Sequence, residues 1–224
     1  MKIIALCILV LFCLVRVYSD QDVCVASNTY SLKVIMIGIA NSNHDHSTAF
    51  TIISPYFANH GYTNYIYAPT TLTENAVKTM ISSNASVFIT RSHGGADSLG
   101  THIKLDDLST GSQRFYSGSS MNGLNLSAKK LIAFIGCSTA EGTSNLPSVA
   151  VNKGAATALG FATTINCDLA NQWTEDFFYL LYQGMSVSTA KYYLKNISPY
   201  KEKYEYTTLK ANNVKVYGST STTL

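Results

Sequence analysis

The sequence is poor in charged residues, and this shortage excludes several classes of protein. Asp, Glu, Lys and Arg make up only 13% of the 224 residues, whereas hydrophobic residues make up 46%. Intrinsically disordered chains have the opposite balance, so we expect a folded globular protein. The formal net charge is only +3, and without Lys2 and Arg16 the count is 14 basic against 13 acidic residues. So small a surplus gives no basic patch, and we expect no nucleic-acid partner.

Long apolar runs are also lacking, except for one at the N-terminus. This run covers residues 3–15 and follows a lysine. It is shorter than the roughly twenty residues that a membrane-spanning helix needs. The pattern predicts a secretory signal peptide over residues 1–19 and a mature chain that starts near Asp20 and has no membrane segment. We therefore expect a protein that is secreted or lies in the lumen of the secretory pathway, with a signal anchor as the alternative because Arg16 is close to the cleavage site.

Cysteine is scarce as well. Of five cysteines, Cys7 and Cys13 fall within the predicted signal peptide, which leaves Cys24, Cys137 and Cys167 in the mature chain. An odd number means that at least one thiol is free, and whether Cys24 pairs with Cys167 stays open. A mature chain of this size buries enough surface to fold without a disulfide framework.

Short apolar runs alternate with amphipathic segments along the mature chain. This alternation predicts a three-layer α/β/α sandwich with a mostly parallel central sheet, in a single domain over residues 20–224. The predicted strands cover residues 32–40, 65–68, 86–90, 131–136, 157–163 and, at the sheet edge, 213–217. The predicted helices cover residues 47–59, 71–82 with a Thr71/Glu74 capping box, 147–152, 172–183 and 187–194. A turn-rich excursion over residues 94–130 is expected to carry two small strands, near residues 102–105 and 114–117.

Two strand ends carry reactive side chains. His93 follows the third strand and Cys137 follows the fourth, and ligands of parallel sheets bind beyond the carboxyl ends of the strands. A cysteine nucleophile acts as the thiolate and needs a nearby base, which His93 can supply. The N–H groups of Gly94 and Cys137 could then form an oxyanion hole. From the residues alone, the alternative is that Cys137 is a buried small apolar residue and His93 an ordinary loop residue.

The order of these motifs resembles a known family. SHGG at residues 92–95, the excursion, and GCSTAEG at residues 136–142 are similar to the caspase-haemoglobinase class of cysteine peptidases, which includes caspases, legumains, gingipains and CHAT domains. NKGAATALGFATTIN at residues 152–166, GMSVSTA at 184–190 and VKVYG at 214–218 are closest to the gingipain and CHAT pattern. The resemblance implies a caspase-like fold in which His93 is the general base, Cys137 the nucleophile, and Gly94 with the Cys137 backbone the oxyanion hole.

The end of the first strand offers further polar residues on the same sheet edge. Asn41 or Asn43 could orient the catalytic histidine, as an asparagine does at that position in legumains, or could instead cap the following helix. His44, Asp45 and His46 suggest a metal, but two histidines at i and i+2 without further ligands make a weak site. We therefore expect no metal and no cofactor.

Two aspartates are candidates for substrate selection. Asp168 follows the fifth predicted strand, and Asp97 lies four residues after His93. A carboxylate in a pocket would favour arginine or lysine in the substrate, and Asp168 is the stronger candidate because it follows a core strand. The alternative is that both are exposed loop residues.

These observations predict a secreted caspase-like cysteine endopeptidase that cleaves peptides or proteins through a Cys-His dyad, after a basic residue. The alternative is an inactive caspase-like fold that serves as a secreted binding module, with Tyr200, Tyr204 and Tyr206 on a recognition surface. A serine hydrolase is disfavoured because the sequence has no G-x-S-x-G motif.

Overall fold

The structure is a computed structural model that describes residues 30–39, 46–98, 100–106, 114–205 and 213–224. The predicted signal peptide lies outside the described residues, as do Cys24, Asn41, Asn43, His44, Asp45 and Tyr206. Within the described ranges, every helix is too short or too polar to cross a membrane.

Strands and helices alternate through most of the chain. The strands are β1 (Lys33–Gly38), β2 (Thr63–Tyr67), β3 (Val87–Arg91), β4 (Gly94–Asp97), β5 (Gly100–Lys104), β6 (Phe115–Ser117), β7 (Leu131–Ile135), β8 (Thr157–Phe161) and β9 (Val214–Gly218). The α-helices are α1 (Thr48–Asn59), α2 (Glu74–Ile81), α3 (Leu146–Asn152), α4 (Cys167–Tyr182), α5 (Val187–Asn196) and α6 (Tyr200–Glu205). A single 3₁₀ turn in the described chain covers Ser119–Met121.

The central sheet has six strands in the order β2-β1-β3-β7-β8-β9. The first five are parallel, and β9 closes one edge antiparallel to β8. Strands β4, β5 and β6 form a separate antiparallel sheet between β3 and β7 in the sequence. The predicted mostly parallel sheet and the excursion are thereby confirmed, although the sequence did not predict β4, whose glycines are typical of turns.

Two apolar clusters, one on each side of the sheet, make the three layers. On one side the strands pack under α1, α4 and α5, and Trp173 of α4 stacks on Phe177 with ring centroids 4.7 Å apart. On the other side they pack under α2, α3 and the small sheet. Successive strand residues point to opposite faces, so Phe88 belongs to one cluster and Ile89 to the other. This burial on both faces explains why β1, β3, β7 and β8 are largely apolar runs.

Three details of the predicted elements are wrong. Helix α2 starts at Glu74 and is capped by Thr73, whose hydroxyl accepts from Ala76 N at 3.1 Å, so Thr71 forms no capping box there. Thr71 instead forms an isolated antiparallel β-bridge with Asp106 through the backbone. Helix α4 begins at Cys167, five residues before the predicted start, because Asn166 caps it.

The third error concerns the tyrosines expected on a recognition surface. Tyr204 lies on α6, a helix that the sequence did not predict, and its side chain is fully buried. Its hydroxyl donates to Asp176 Oδ2 at 2.5 Å. Burial raises the pKa of Tyr204 above its ordinary value, so the hydroxyl keeps its proton for this hydrogen bond. Tyr204 is therefore part of the core, which weakens the recognition-surface hypothesis.

Candidate active site

The ends of β3 and β7 bring His93 and Cys137 to the same edge of the sheet. The two strands are parallel neighbours with Arg91 opposite Ile135, and Ser92 N donates to Ile135 O at 3.1 Å. The residues that leave the two strands therefore lie side by side. His93 and Cys137 line one cavity of about 260 Å³. The rest of its lining is His46, Arg91, Ser92, Gly136, Thr164, Ile165 and Cys167.

Two glycines allow this close approach of the strand ends. A Cβ on Gly136 would lie 2.7 Å from Ser92 O and 3.3 Å from Gly94 N. A Cβ on Gly94 would collide with the carbonyl oxygen of Cys137 and lie 3.1 Å from the Cys137 nitrogen. Side chains at either position would force the two backbones apart, so both glycines are required by packing.

The turn that carries Cys137 is held between β7 and β8. Ser138 has φ of 54°, a left-handed conformation that is costly for a residue other than glycine. Its N–H donates to Thr163 O at 3.0 Å, which fixes this conformation. The Thr139 hydroxyl donates to Phe134 O at 2.8 Å and accepts from Phe161 N at 3.0 Å. The backbone at Cys137 is thus set by contacts on both sides of the turn.

The sulfur of Cys137 is a free, half-buried thiol beside the backbone of Ile165. Ile165 N donates to Cys137 Sγ at 3.4 Å, and Sγ lies 3.5 Å from Ile165 O. These contacts aim the thiol into the cavity, toward the residues that follow β8.

The N–H of Gly94, the first residue of β4, points away from the neighbouring strand β5. Gly94 lies opposite Ile103 in the antiparallel pair of β4 and β5, and Lys104 N donates to His93 O at 2.8 Å. In this register the pair is not hydrogen-bonded, so the Gly94 N–H points away from β5, on the side of Gly136 and Cys137. That arrangement suits the predicted oxyanion hole.

A buried arginine is a cavity residue that the sequence did not predict. Arg91 ends β3 and is only 2% exposed. Its Nη2 donates to Cys167 O at 2.7 Å and to Cys167 Sγ at 3.1 Å, and its Nε donates to Asn171 Oδ1 at 3.0 Å. Burial lowers the pKa of the Arg91 guanidinium from its ordinary value, and the neighbouring Cys167 opposes this effect. The sequence does hold a signal for this residue: a charged arginine ends an apolar strand, directly before the SHGG motif.

His46 is the second cavity residue that the sequence assigned no role in catalysis. It precedes α1, is 1% exposed, and packs edge-on against His93 with ring centroids 5.1 Å apart. Its Nδ1 lies 3.6 Å from Cys167 Sγ. Among the described residues, no group of three or more His, Cys, Asp or Glu side chains is placed to hold a metal ion.

The two aspartates predicted to select the substrate lie elsewhere. Asp168 is exposed in the first turn of α4, where a carboxylate complements the helix dipole. Asp97 is exposed at the end of β4 and pairs with His102 Nδ1 at 3.6 Å. Burial lowers the pKa of His102, and Asp97 opposes this effect. The described cavity lining includes neither carboxylate.

The remaining site predictions fall partly outside the described residues. Asn41 and Asn43 cannot be placed relative to His93, so a histidine-orienting role for either stays a prediction. Cys167 carries a free thiol, and the partner considered for it, Cys24, also lies outside.

Comparison with known proteins gives a structural likeness only. No protein-family model matches the chain, and no curated protein matches it in sequence. Solved structures do match: the crystal structure of the Arg-specific cysteine proteinase gingipain R has a TM-score of 0.60 and 11% sequence identity. A complex of the pro- and mature domains of this proteinase from Porphyromonas gingivalis has a TM-score of 0.59 and 12% identity.

Both matches cover 87% of this chain but only 48% of the matched chain, so the chain spans about half their length. At this identity the likeness shows the fold alone, which is a mixed α/β architecture that matches the caspase-like fold of gingipain R.

Proposed function

We propose that the protein is a cysteine endopeptidase with Cys137 as nucleophile and His93 as general base. The observation that carries the proposal is that both side chains line one cavity, at the ends of the adjacent parallel strands β3 and β7. Two features support it. The Cys137 turn is fixed in a costly backbone conformation, which is common at functional sites, and the Gly94 amide faces the same place.

The geometry supports acyl transfer in the following way. His93 takes the thiol proton, and Cys137 Sγ attacks the substrate carbonyl carbon. The developing oxyanion is stabilised by the N–H groups of Gly94 and Cys137. His93 then gives its proton to the leaving amine, and water hydrolyses the thioester, which returns the proton to the thiol.

The cavity favours an uncharged or acidic substrate side chain over a basic one. Its ionisable lining, apart from the two thiols, is Arg91, His46 and His93. A guanidinium or ammonium placed there would lie close to the Arg91 guanidinium, and the cavity lining offers no carboxylate to oppose it. Asp168 lies outside this lining and already interacts with Arg91, where it opposes the lowering of the pKa by burial. Gingipain R is described as Arg specific. In this chain a basic preference would need Asp168 or Asp97 to reach the substrate from outside the cavity.

An electrophilic peptide probe tests the proposal directly. The mature chain from Asp20 would be treated with acyloxymethyl ketone peptides that end in arginine, asparagine or aspartate, and the labelled residue would be mapped by mass spectrometry. We expect label on Cys137, none in Cys137→Ala, and slower labelling in His93→Ala. A folded protein that takes no label at Cys137 from any probe would favour the inactive binding module. Secretion through the predicted signal peptide stays a separate prediction.

A further inference from the structure

A second thiol shares the cavity with Cys137 and has its own partners. Cys167 opens α4, Arg91 ends β3 and His46 precedes α1, so three separate elements bring these side chains together. Arg91 Nη2 lies 3.1 Å from Cys167 Sγ, and His46 Nδ1 lies 3.6 Å from it. Arg91 and His46 are at least 98% buried, whereas Cys167 is half-buried and opens to the cavity.

This cluster has the parts that a reactive thiol needs. Thiolates are the nucleophiles in thiol chemistry, and they are favoured beside arginine or histidine and at helix N-termini. Arg91, His46 and the N-terminus of α4 all lie beside Cys167, since Asn166 caps α4 and leaves Cys167 as its first helical residue. The proposed hydrolysis uses Cys137 and His93 and assigns no role to Cys167, Arg91 or His46.

We propose that Cys167 is a modification site at which a small anionic disulfide attaches as a mixed disulfide inside the cavity. Cys167 Sγ attacks one sulfur of the reagent, the reagent's S–S bond breaks, and a new S–S bond forms to Cys167. His46 Nδ1 takes the proton of the Cys167 thiol and passes it to the leaving thiolate. The products are the mixed disulfide and one free thiol, so no further oxidant is needed.

The charge of the cavity selects the reagent. Arg91 is the permanently charged side chain of the described lining, because a guanidinium keeps its proton in proteins. A reagent with carboxylates, such as oxidised glutathione, is therefore favoured over a cationic disulfide such as cystamine. The adduct fills space beside Cys137 and hinders substrate access. This last consequence rests on the proposed function, whereas the modification itself does not.

The first experiment measures the modification without any peptidase activity. Cys137→Ser leaves Cys167 as the thiol in the described cavity lining, and Cys137→Ser with Cys167→Ser is the matched control. Each protein is mixed with oxidised glutathione or cystamine, both folded and in concentrated urea at one pH, and peptide mapping follows the adduct on Cys167.

We expect oxidised glutathione to modify folded Cys167 about ten-fold faster than unfolded Cys167, with cystamine gaining much less from folding. No acceleration in the folded protein overturns the proposal. Equal acceleration of the two reagents overturns the role assigned to Arg91.

The second experiment tests the effect on turnover. Wild type and Cys167→Ser are treated with oxidised glutathione, and each is compared with its own untreated activity. We expect the wild type to lose activity about ten-fold faster than Cys167→Ser does, and to recover this activity when a reductant is added. Equal rates of loss would mean that the reagent acts at Cys137 and that Cys167 does not control turnover. Failure of the proposed function would appear separately, as untreated protein without activity.

Discussion

The two thiols of the cavity are held in contrasting ways. Cys137 lies on a turn after β7, fixed by backbone contacts: Ser138 at φ of 54° donates to Thr163 O, and Ile165 N donates to the sulfur. Cys167 lies at the start of α4 and is surrounded by side chains, with Arg91 and His46 within 3.6 Å of its sulfur. The sulfur of Cys137 is contacted by the main chain, and that of Cys167 by two buried side chains.

This difference suggests a division of tasks. Acyl transfer needs a nucleophile at a fixed position beside backbone donors, because the developing oxyanion is stabilised by preorganised N–H groups. Disulfide exchange needs no oxyanion hole, and its rate depends on thiolate character and access. Cys137 therefore suits peptide hydrolysis and Cys167 suits modification.

Removal of each thiol should have very different effects on hydrolysis. Cys137→Ala should lower kcat/KM by about four orders of magnitude or more, because it removes the nucleophile. Cys167→Ala should lower it by less than about ten-fold, since it changes only the cavity wall. Fluorogenic peptide assays give both values, with circular dichroism as the control for folding. The reverse ranking would make Cys167 the nucleophile.

We expect His93 to control the alkylation rate of Cys137, and His46 that of Cys167. At about pH 6, iodoacetamide should alkylate Cys137 faster than it alkylates a small free thiol, and His93→Ala should remove that advantage, a loss of about ten-fold. His46→Ala should do the same to Cys167, while each mutation changes the other cysteine much less. Peptide mapping after timed quenching separates the two sites. If either mutation slowed both cysteines equally, the edge-on histidine pair would act as one unit and the division would fail.

A side chain at Gly136 should disturb one thiol and spare the other. The added Cβ of Gly136→Ala would meet Ser92 O at 2.7 Å, so the mutation should lower the free energy of unfolding by about 1–3 kcal/mol and displace Cys137. Gly123→Ala is the matched control, because its φ of 77° brings strain of about 1 kcal/mol while the space around it is open. Urea denaturation gives both values. Alkylation of Cys167 should keep its wild-type rate in both variants.

The smallest effect is expected at Asp168, the neighbour of Cys167. Asp168→Asn should change the ratio of kcat/KM for arginyl and asparaginyl substrates by less than about five-fold, because an exposed charge outside the cavity interacts weakly with a bound group. Asp97→Asn serves as the second exposed carboxylate for comparison. A hundred-fold loss for arginyl substrates in Asp168→Asn alone would contradict this expectation and support the basic preference that the sequence predicts.

The sequence predicted the sheet well because buried strands leave a strong local pattern. The buried parallel strands β1, β3, β7 and β8 are short, largely apolar runs, and each lies within two residues of its predicted bounds. The sequence failed where an element depends on a packing partner more than on the propensity of its own residues. The β4 strand is a glycine-rich segment that pairs only because β5 lies beside it, and α6 forms against Asp176, 28 residues before Tyr204. Local propensity carries no record of such partners.

Local sequence patterns were enough to predict the alternation of strands and helices and to single out His93, Gly94 and Cys137, which follow strands. These are local features: apolar periodicity, glycines, and reactive side chains at strand ends. Which other side chains lie beside these residues depends on how the elements pack. The packing of β3, α1 and α4 brings together Arg91, His46 and Cys167, which lie up to 121 residues apart in the sequence. The same packing leaves Asp168 outside the cavity. Helix α4 turns the side chain of Cys167 into the cavity, and the next residue, Asp168, is exposed to solvent.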